Sequence, residues 1–409
     1  MNILGINAYH GDASAALLID GEAVAAVEEE RFSRLKHQAG FPAEAVRWCL
    51  ESAGLGPGDI DHVAVSRNPV ARLPQRLRWM ATHPPSVKSL RQRGGSARQS
   101  MKIRDALGAA LDVDPKSLRA RFHRVEHHLA HLGSALFCSP FDDATCLSLD
   151  GMGDFVSTMW GVGRGSRLDV KGHVPFPASL GIYYTAFTQF LGMPHYGDEY
   201  KLMGLAAYGE PTFLPQVREV LRAEGLGFSL NLDYFIHHDV GVDMTWAAGT
   251  PSLGPLFSAK MAETFGPARA VRGEVTERDR NLAASVQARL EEVELELVRH
   301  LHAALPSPRL VLAGGVALNV LANARILHDT PFDDVWVQPA ANDSGTSIGA
   351  GLWVWNHVLG QPRRWEMTHA YLGPEYGDEA AAAAMEAAGI TVSPSPSELG
   401  RTLKALLSR

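Results

Sequence analysis

Residues 2–27 read Asn2-Ile-Leu-Gly-Ile-Asn7, then a polar loop over residues 8–13, then Ser14-Ala-Ala-Leu-Leu-Ile19, Asp20-Gly21 and Glu22-Ala-Val-Ala-Ala-Val27. An Asp-Gly pair between two apolar runs is a strong hairpin signal, because both residues readily adopt the backbone conformation that a tight two-residue turn requires. The stretch therefore predicts a strand, a polar loop, a second strand, a tight turn and a third strand.

The same order recurs later in the chain. Thr145-Cys-Leu-Ser-Leu-Asp150 is followed by Gly151-Met-Gly-Asp154, by Val156-Ser-Thr-Met-Trp-Gly161, and by Leu168-Asp-Val170 after a glycine-rich turn. The two stretches share few identical residues, and these residues alone do not exclude a coincidental similarity. If it is real, the two stretches open two halves of a duplicated protein.

Helical and extended patterns alternate around these two stretches. Apolar spacing predicts helices over 43–53, 127–137, 281–304, 318–327 and 344–359, and strands over 62–66, 309–313 and 334–338. Alternating strands and helices in two halves predict an α/β fold with a cleft between duplicated lobes, which we assign to residues 1–144 and 145–362.

The composition excludes several classes of protein. The chain has 409 residues, of which 46% are hydrophobic, and its net charge of −7 follows from 38 basic and 45 acidic residues. That is enough chain for a large core. Apolar runs are too short for a membrane span, and the N-terminus has no secretory pattern. Cys49, Cys138 and Cys146 stand in apolar settings, so we expect buried, reduced thiols in a cytoplasmic protein.

One segment is strongly basic. Residues 72–104 hold nine Lys and Arg and no acid, and we interpret about 70–105 as an insertion in the first lobe. Nucleic-acid binding is one interpretation. The acidic total and the helix-breaking Pro84-Pro85 argue instead for a solvated segment.

Glu126-His-His-Leu-Ala-His131 is the first candidate site. On a helix His127 and His131 are four residues apart and face one way, so they can chelate a metal. The alternative is a buried pair satisfied by hydrogen bonds. Asp343, between a predicted strand and a helix, is a candidate third ligand, or else a helix cap that accepts backbone N–H groups.

Polar and glycine-bearing loops after strands are the second candidate site. Residues 5–12, 150–153 and 313–319 form such loops, which suit a nucleotide phosphate but also ordinary tight turns. Lys201, beside Asp198 and Glu199, could hold a phosphate or simply form a salt bridge. His10 and Asp12 are residue types of a general base and its orienting group.

Seven motifs together resemble the carbamoyltransferase family of nodulation, cephamycin and aminoglycoside (tobramycin) antibiotic O-carbamoyltransferases, in the family's order over about residues 1–360. They are the stretches 5–17, 28–37, 126–131, 148–154, 197–209, 313–319 and 342–345. The resemblance implies an actin/sugar-kinase/Hsp70-like fold, similar to the tRNA threonylcarbamoyladenosine-forming protein. It also implies transfer of a carbamoyl group from carbamoyl-adenylate to a hydroxyl of a small molecule, with ATP and carbamoyl phosphate as the ultimate sources of the donor.

The resemblance also assigns residues to roles. An iron-type divalent metal maps onto His127, His131 and Asp343, and the transfer site onto His10, Asp12 and His37. His128 would contact a ligand residue or the substrate. The nucleotide would be held by residues of the glycine-bearing loops and the 198–204 segment, namely Asp150, Gly151, Gly153, Asp198, Glu199, Lys201, Gly204, Gly314, Gly315, Asn319 and Asn342.

In one respect the chain departs from the family pattern. The family carries a C-terminal adenylate-forming domain, and residues 363–409 resemble only the start of it. We therefore expect donor formation to be absent, supplied in trans by a partner, or lost through truncation of the chain. A tRNA-modifying threonylcarbamoyl transferase and a non-catalytic nucleotide-binding subunit remain alternatives, and a homodimer remains open.

Overall fold

The computed structural model describes residues 1–82, 102–242, 244–246, 249–305 and 307–390. The chain divides into two compact units between Leu372 and Gly373. In the second unit residues Asp378–Ala387 form an exposed helix, α14. Within the described ranges no helix is long and apolar enough to cross a membrane.

The first sheet in the described chain has five strands in the order β3-β2-β1-β4-β5. β1 (Asn2–Asn7), β2 (Ser14–Ile19) and β3 (Glu22–Glu28) pair antiparallel, as the hairpin pattern predicts. β4 (His62–Val65) and β5 (Arg121–Arg124) continue the sheet in parallel with β1. The predicted strand over 62–66 is therefore confirmed, whereas β5 was missed.

A second five-stranded sheet, among the residues described, has the order β14-β13-β6-β7-β8. Three successive strands again pair antiparallel, and two later strands join the first of them in parallel. The bounds are β6 (Asp143–Gly153), β7 (Val156–Arg164), β8 (Arg167–Pro175), β13 (Arg309–Ala313) and β14 (Asp334–Val337). The matching strand orders confirm the duplicated α/β fold that the two related stretches predict, in agreement with the actin-like architecture that the family resemblance implies.

Helices and short hairpins connect these strands. In the first half they are α1 (Glu30–Ser33), α2 (Ala43–Ser52), α3 (Leu73–Thr82), α4 (Ile103–Ala110) and α5 (His127–Cys138). In the second half they are α6 (Leu180–Phe190), α7 (Glu199–Ala206), α8 (Leu214–Val220), β9 (Leu221–Ala223), β10 (Phe228–Leu230), α9 (His237–Val240), β11 (Met244–Thr245), β12 (Ser252–Leu253), α10 (Ala259–Phe265), α11 (Glu277–Ala304), α12 (Val320–Asp329) and α13 (Thr346–Leu352).

Two helices, α5 and α13, link the sheets through one hydrophobic core. That core joins Ile3 and Leu18 of the first sheet to Cys146 and Val311 of the second. α13 packs on α5, β1 and β2. The three cysteines are buried free thiols, as predicted.

Some sequence expectations need correction or lie outside the described residues. The predicted single helix over 344–359 is instead α13 followed by a π-helical segment, Trp353–Val358. Of the basic segment, α3 and the start of α4 are described, and residues 83–101 lie outside the described ranges, as do residues 391–409 of the predicted C-terminal segment. The predicted lobe boundaries at 144/145 and 362/363 stay predictions.

Candidate active site

A cavity of about 1500 Å³ opens where β1, β4, β6 and β13 end. Residues near the end of each strand line it: His10 and Asp12 after β1, Arg67 after β4, Asp150 in the C-terminal part of β6, and Gly315 after β13. Ligands commonly bind at the carboxyl ends of strands in open α/β sheets, because loops and side chains of several strands converge there. The duplicated fold thus brings chemistry-bearing residues of both halves to one cavity.

The loop over residues 8–13 is held by a side chain of the strand before it. Asn7 Nδ2 donates to the carbonyl oxygens of Gly11 and Asp12, at 3.1 and 3.0 Å. Tyr9 and Asp12 adopt left-handed backbone angles, with φ of 63° and 56°. A left-handed conformation costs a residue with a side chain free energy and is found where the surroundings enforce it, often at functional sites.

Two histidines and two aspartates converge at the floor of the cavity, where Asp150 and Asp343 line it, whereas His127 and His131 are fully buried and do not. His127 Nε2 lies 3.1 Å from Asp150 Oδ2 and 3.4 Å from Asp343 Oδ1. His131 Nε2 lies 3.5 Å from Asp343 Oδ1 and 3.1 Å from His127 Nε2. One ligand atom from each residue falls within 4.8 Å of all the others. The helical spacing places both imidazoles on one face of α5, as predicted, and Asp150 joins them although the sequence assigned it to the nucleotide.

This donor set fits a divalent metal. The Nε2 atoms of His127 and His131 lie 3.1 Å apart and both face the carboxylates of Asp150 and Asp343, so imidazole nitrogens and carboxylate oxygens, the donors that divalent transition metals accept, converge on one point with two negative charges to balance the cation. Burial opposes ionisation of Asp343, but His127, His10 and His131 hold the pKa of that carboxyl well below its usual range. Burial likewise opposes charge on His127, but Asp343 and Asp150 raise its pKa well above the usual value.

Capping is not the role of Asp343. It lies in the short turn Asp343–Gly345 before α13, and neither the cap residue of this turn nor that of α13 accepts a side-chain capping bond. Its carboxylate faces histidines instead. His10 Nδ1 lies 3.4 Å from Asp343 Oδ2, so three imidazoles surround this group.

His128 is a structural residue. Its Nε2 faces Val156 O at 2.9 Å and therefore donates to it, so Nδ1 accepts from Ser148 Oγ at 2.7 Å. Burial, reinforced by the neighbouring His127, lowers its pKa to about 3. Of the two contacts expected for His128, the one with a metal-ligand residue is present, since its ring meets that of His127 edge-on at 5.5 Å, whereas both ring nitrogens are used inside the protein and none is left for a substrate.

His10 and His37 have different surroundings. The His10 ring stacks on His127 with centroids 5.2 Å apart, and burial, together with Arg67, lowers its pKa. His37 Nδ1 lies 2.7 Å from Asp12 Oδ1, and this hydrogen bond outweighs burial and raises the pKa of His37. Asp12, which the sequence suggested as the partner of His10, therefore pairs with His37.

The backbone around His37 fixes its ring at the cavity wall. His37 N donates to Glu30 Oε2 at 2.7 Å, and its ring meets Tyr196 edge-on at 5.4 Å. A Cβ at Gly197 would lie 2.3 Å from His37 Nε2, so only glycine leaves room for the ring there. Asp12, Glu30 and His37 also form a cluster that could hold a cation.

Most residues predicted to hold a nucleotide line the same cavity. They are Asp150, Gly151, Asp198, Glu199, Gly315, Asn319 and Asn342. Gly315 N donates to Asp150 Oδ1 at 2.9 Å, which ties the loop after β13 to the metal cluster. Asn319 caps α12 through Ala322 N and exchanges two hydrogen bonds with Gln287, so its side chain holds the loop in place.

Four of the predicted residues do not line the cavity. Gly153 makes room for the His127 ring, and Gly314 turns the chain at φ 97° against the backbone of Leu149. Gly204 lies on α7 in open space, with no atom within 4 Å of the place a Cβ would take. Lys201 is exposed and pairs with Asp198 at 2.5 Å, which confirms the salt-bridge alternative for this residue.

Arg67, Asp154 and Tyr196 line the cavity and were not singled out from the sequence. Asp154 Oδ2 accepts from His127 N at 3.0 Å and from Asn68 N at 2.7 Å, so it joins the start of α5 to the end of β4. The signal that could have indicated Arg67 is its place directly after a parallel strand, where polar side chains gather at one edge of the sheet.

Comparison with known proteins agrees with the seven motifs. Residues 2–352 match the family model described as "Carbamoyltransferase N-terminus". The chain is 38% identical over 392 residues to uncharacterized protein sll1178 of Synechocystis, covering 92% of this chain and 61% of that protein. It is 32% identical over 385 residues to nodulation protein NolNO of Sinorhizobium fredii, covering 92% of this chain and 51% of that protein. The chain thus spans between half and two thirds of the length of these two relatives.

Among solved structures, component A of the (R)-2-hydroxyglutaryl-CoA dehydratase of Acidaminococcus fermentans covers 86% of this chain and 97% of its own, with 12% identity and a TM-score of 0.44. A ROK hexokinase from Thermus thermophilus covers 86% of this chain and 98% of its own, with 16% identity and a TM-score of 0.34. These scores are too low to carry an argument about function.

The family model covers both five-stranded sheets and every residue of the cavity floor. The chain belongs to the carbamoyltransferase family.

Proposed function

We propose that the cavity transfers a carbamoyl group from carbamoyl-adenylate to a hydroxyl of a small molecule, with a divalent metal held by His127, His131, Asp343 and Asp150. The observation that carries the proposal is that the two-histidine, two-aspartate cluster reaches the cavity through Asp150 and Asp343, and that Asp12 and His37, which pair with each other, line the same cavity. Family membership supports the type of group transferred.

A metal at this cluster would supply a positive centre that polarises the donor. Residues of this chain accept the proton that the acceptor hydroxyl loses. In the proposed step His37 Nε2 takes the proton of the acceptor hydroxyl, and Asp12 holds the ring and stabilises the imidazolium that forms. The hydroxyl oxygen bonds to the carbamoyl carbon, the bond from that carbon to the phosphate oxygen breaks, and AMP leaves.

His10 has a different role in this proposal. Its lowered pKa keeps the ring neutral at pH 7, and it lies between the metal cluster and the cavity. A neutral imidazole there can donate a hydrogen bond to the oxygen that becomes negative during transfer. The glycine-bearing loop after β13, with Gly315 at the cavity wall, is the proposed seat of the adenosine phosphate end.

A single-turnover experiment tests the proposal. Because the chain covers only part of its relatives, formation of the donor is not assigned to it, and carbamoyl-adenylate is supplied ready made. Metal-loaded protein is mixed with the donor and a panel of hydroxylated small molecules, and products are read by mass spectrometry. We expect a carbamoylated acceptor and stoichiometric AMP.

Two variants sharpen this experiment. His37→Gln should slow transfer by roughly 100-fold, the usual contribution of a general base. His300→Gln is the matched control, since His300 is exposed on α11 and bonds to Glu296 O of its own helix. Nucleotide binding without any transfer would point to the non-catalytic subunit, and bound tRNA would point to the threonylcarbamoyl alternative.

A further inference from the structure

Arg67 stands at the end of β4, held beside the loop over residues 8–13. Ser66 N donates to Ile6 O at 3.0 Å, and Ser66 Oγ donates to Asn7 Oδ1 at 3.1 Å, so the ends of β4 and β1 are tied together. Arg67 Nη1 then donates to Tyr9 O at 3.2 Å. The guanidinium is thereby fixed at the cavity wall next to His10.

The neighbouring arginines have carboxylate partners and Arg67 has none among the described residues. Arg72 Nε bonds to Glu126 Oε1 at 3.1 Å, and Arg76 Nη2 lies 3.6 Å from Asp154 Oδ1. Asp154 and Asp343 attract Arg67 without forming an ion pair with it. Burial is the largest influence on its guanidinium and lowers its pKa.

The carboxylates at and beside the cavity floor already have partners within the protein. Asp154 Oδ2 accepts two backbone N–H groups, and Asp150 and Asp343 face the imidazoles of His127 and His131. Arg67 is therefore a partly buried cation whose remaining N–H groups point at no protein anion in the described part of the chain. A partly buried charge without a partner costs free energy unless a ligand of opposite charge binds to it. The planar guanidinium can donate two parallel hydrogen bonds to two oxygens of a phosphate.

We propose that Arg67 binds the phosphoryl oxygens of the donor, at the phosphate that links the carbamoyl group to adenosine. This inference rests on the proposed function. When the bond between the carbamoyl carbon and the phosphate oxygen breaks, its electron pair stays on that oxygen and AMP gains a negative charge. Arg67 faces the place where this charge develops, while the acceptor's proton goes to His37, so the step balances.

The test compares ligands that differ only in the phosphate. Binding of AMP, adenosine and inorganic phosphate to metal-loaded protein is measured by calorimetry for wild type, Arg67→Gln, Arg67→Lys and Arg78→Gln. Arg78 is the matched control because it is exposed on α3, outside the cavity wall, and loses the same charge. Metal content and melting temperature of each variant are measured alongside.

Arg67→Gln should raise the Kd for AMP at least tenfold and change the Kd for adenosine by less than about twofold, as expected for loss of a charge-assisted hydrogen bond. Arg67→Lys should recover part of the loss, and Arg78→Gln should match wild type. Metal content should be equal in all four proteins.

Other outcomes overturn the assignment. If Arg67→Gln weakens the binding of AMP and of adenosine by the same factor, or changes the binding of neither, Arg67 does not bind the donor phosphate. If it weakens the binding of inorganic phosphate and leaves the binding of AMP unchanged, Arg67 binds an anion other than the donor phosphate. Wild-type protein that binds neither AMP nor adenosine would overturn the proposed function as well, whereas unchanged AMP binding in Arg67→Gln overturns the Arg67 assignment alone.

Discussion

His37 and Asp12 form the pair on which the proposed proton transfer depends. His37 must be neutral to accept a proton, and Asp12 raises its pKa above the ordinary value of about 6.5. Transfer should therefore rise with pH as the medium passes through this raised pKa. In Asp12→Asn the stabilising charge is gone and burial lowers the pKa, so the acid limb should move to lower pH.

The plateau rate of Asp12→Asn should also fall, by roughly 100-fold, because the ring loses its orienting partner. Single-turnover rates across the pH range measure both effects, with AMP affinity expected to stay within about twofold. Asp169→Asn serves as control, since Asp169 is an exposed carboxylate on β8 that pairs only with Lys171 among its described neighbours. An acid limb at the same pH in wild type and Asp12→Asn would refute the role of Asp12.

Some contacts between individual residues can be predicted from the sequence, and others cannot. His127 and His131 follow from helix geometry, because residues four apart share a face whatever surrounds the helix. Asp12 and His37 are 25 residues apart, and they meet because Tyr9 N and Ala13 N bond to Gly40 O and Gln38 O. No local spacing encodes that tertiary pairing, so both residues were expected near the site and their partnership was not.

At the level of elements, the contact between α5 and α13 depends on glycine. A Cβ at Gly349 would lie 1.9 Å from Ala130 O and 2.7 Å from Ser134 N, both backbone atoms of α5. Gly349→Ala should therefore force the helices apart and lower the free energy of unfolding by about 1–3 kcal/mol, the usual cost of overpacking. Urea denaturation followed by circular dichroism measures the change.

Gly204→Ala is the matched control for Gly349→Ala. Gly204 lies on α7, where a methyl group in place of its hydrogen would have no atom within 4 Å, so alanine should raise the free energy of unfolding by up to about 1 kcal/mol. Equal stability of Gly349→Ala and wild type would mean that the two helices do not pack this closely.

The elements themselves were predictable where a local pattern exists. The Asp20-Gly21 turn fixes the register of β2 and β3, and β13 matches its expected bounds at Arg309–Ala313. β5 reads Arg-Phe-His-Arg, with no apolar alternation, because it lies at the edge of its sheet. Its extended conformation comes from pairing with β4, a tertiary cause that the local sequence does not record.

The whole molecule combines ligands from both halves into one centre. His127 and His131 come from α5 after the first sheet, Asp150 from β6 of the second, and Asp343 from the turn before α13. The duplicated fold could be predicted from the two related stretches and the seven motifs. Which loop residues meet at the cavity depends on packing that the sequence alone does not reveal.

The three cysteines report on the integrity of this assembly. Cys49, Cys138 and Cys146 are buried, and burial raises the pKa of each thiol to about 12. Thiolate is the reactive form, so native protein should not react with a thiol reagent at about pH 8. All three should react in denaturant, as counted by absorbance with Ellman's reagent. Rapid labelling of the native protein would show that these cores open readily.

The most direct test of the account is the metal content and AMP affinity of wild type and Asp343→Ala, by elemental mass spectrometry and calorimetry. Asp343 contacts three of the histidines at the cavity floor, so its loss should remove the metal while the fold, read from the melting curve, remains. We predict about one divalent metal per wild-type chain, AMP binding, and loss of the metal in the variant. Wild-type protein that carries no metal and binds no AMP, or a variant that keeps its metal, would contradict the account.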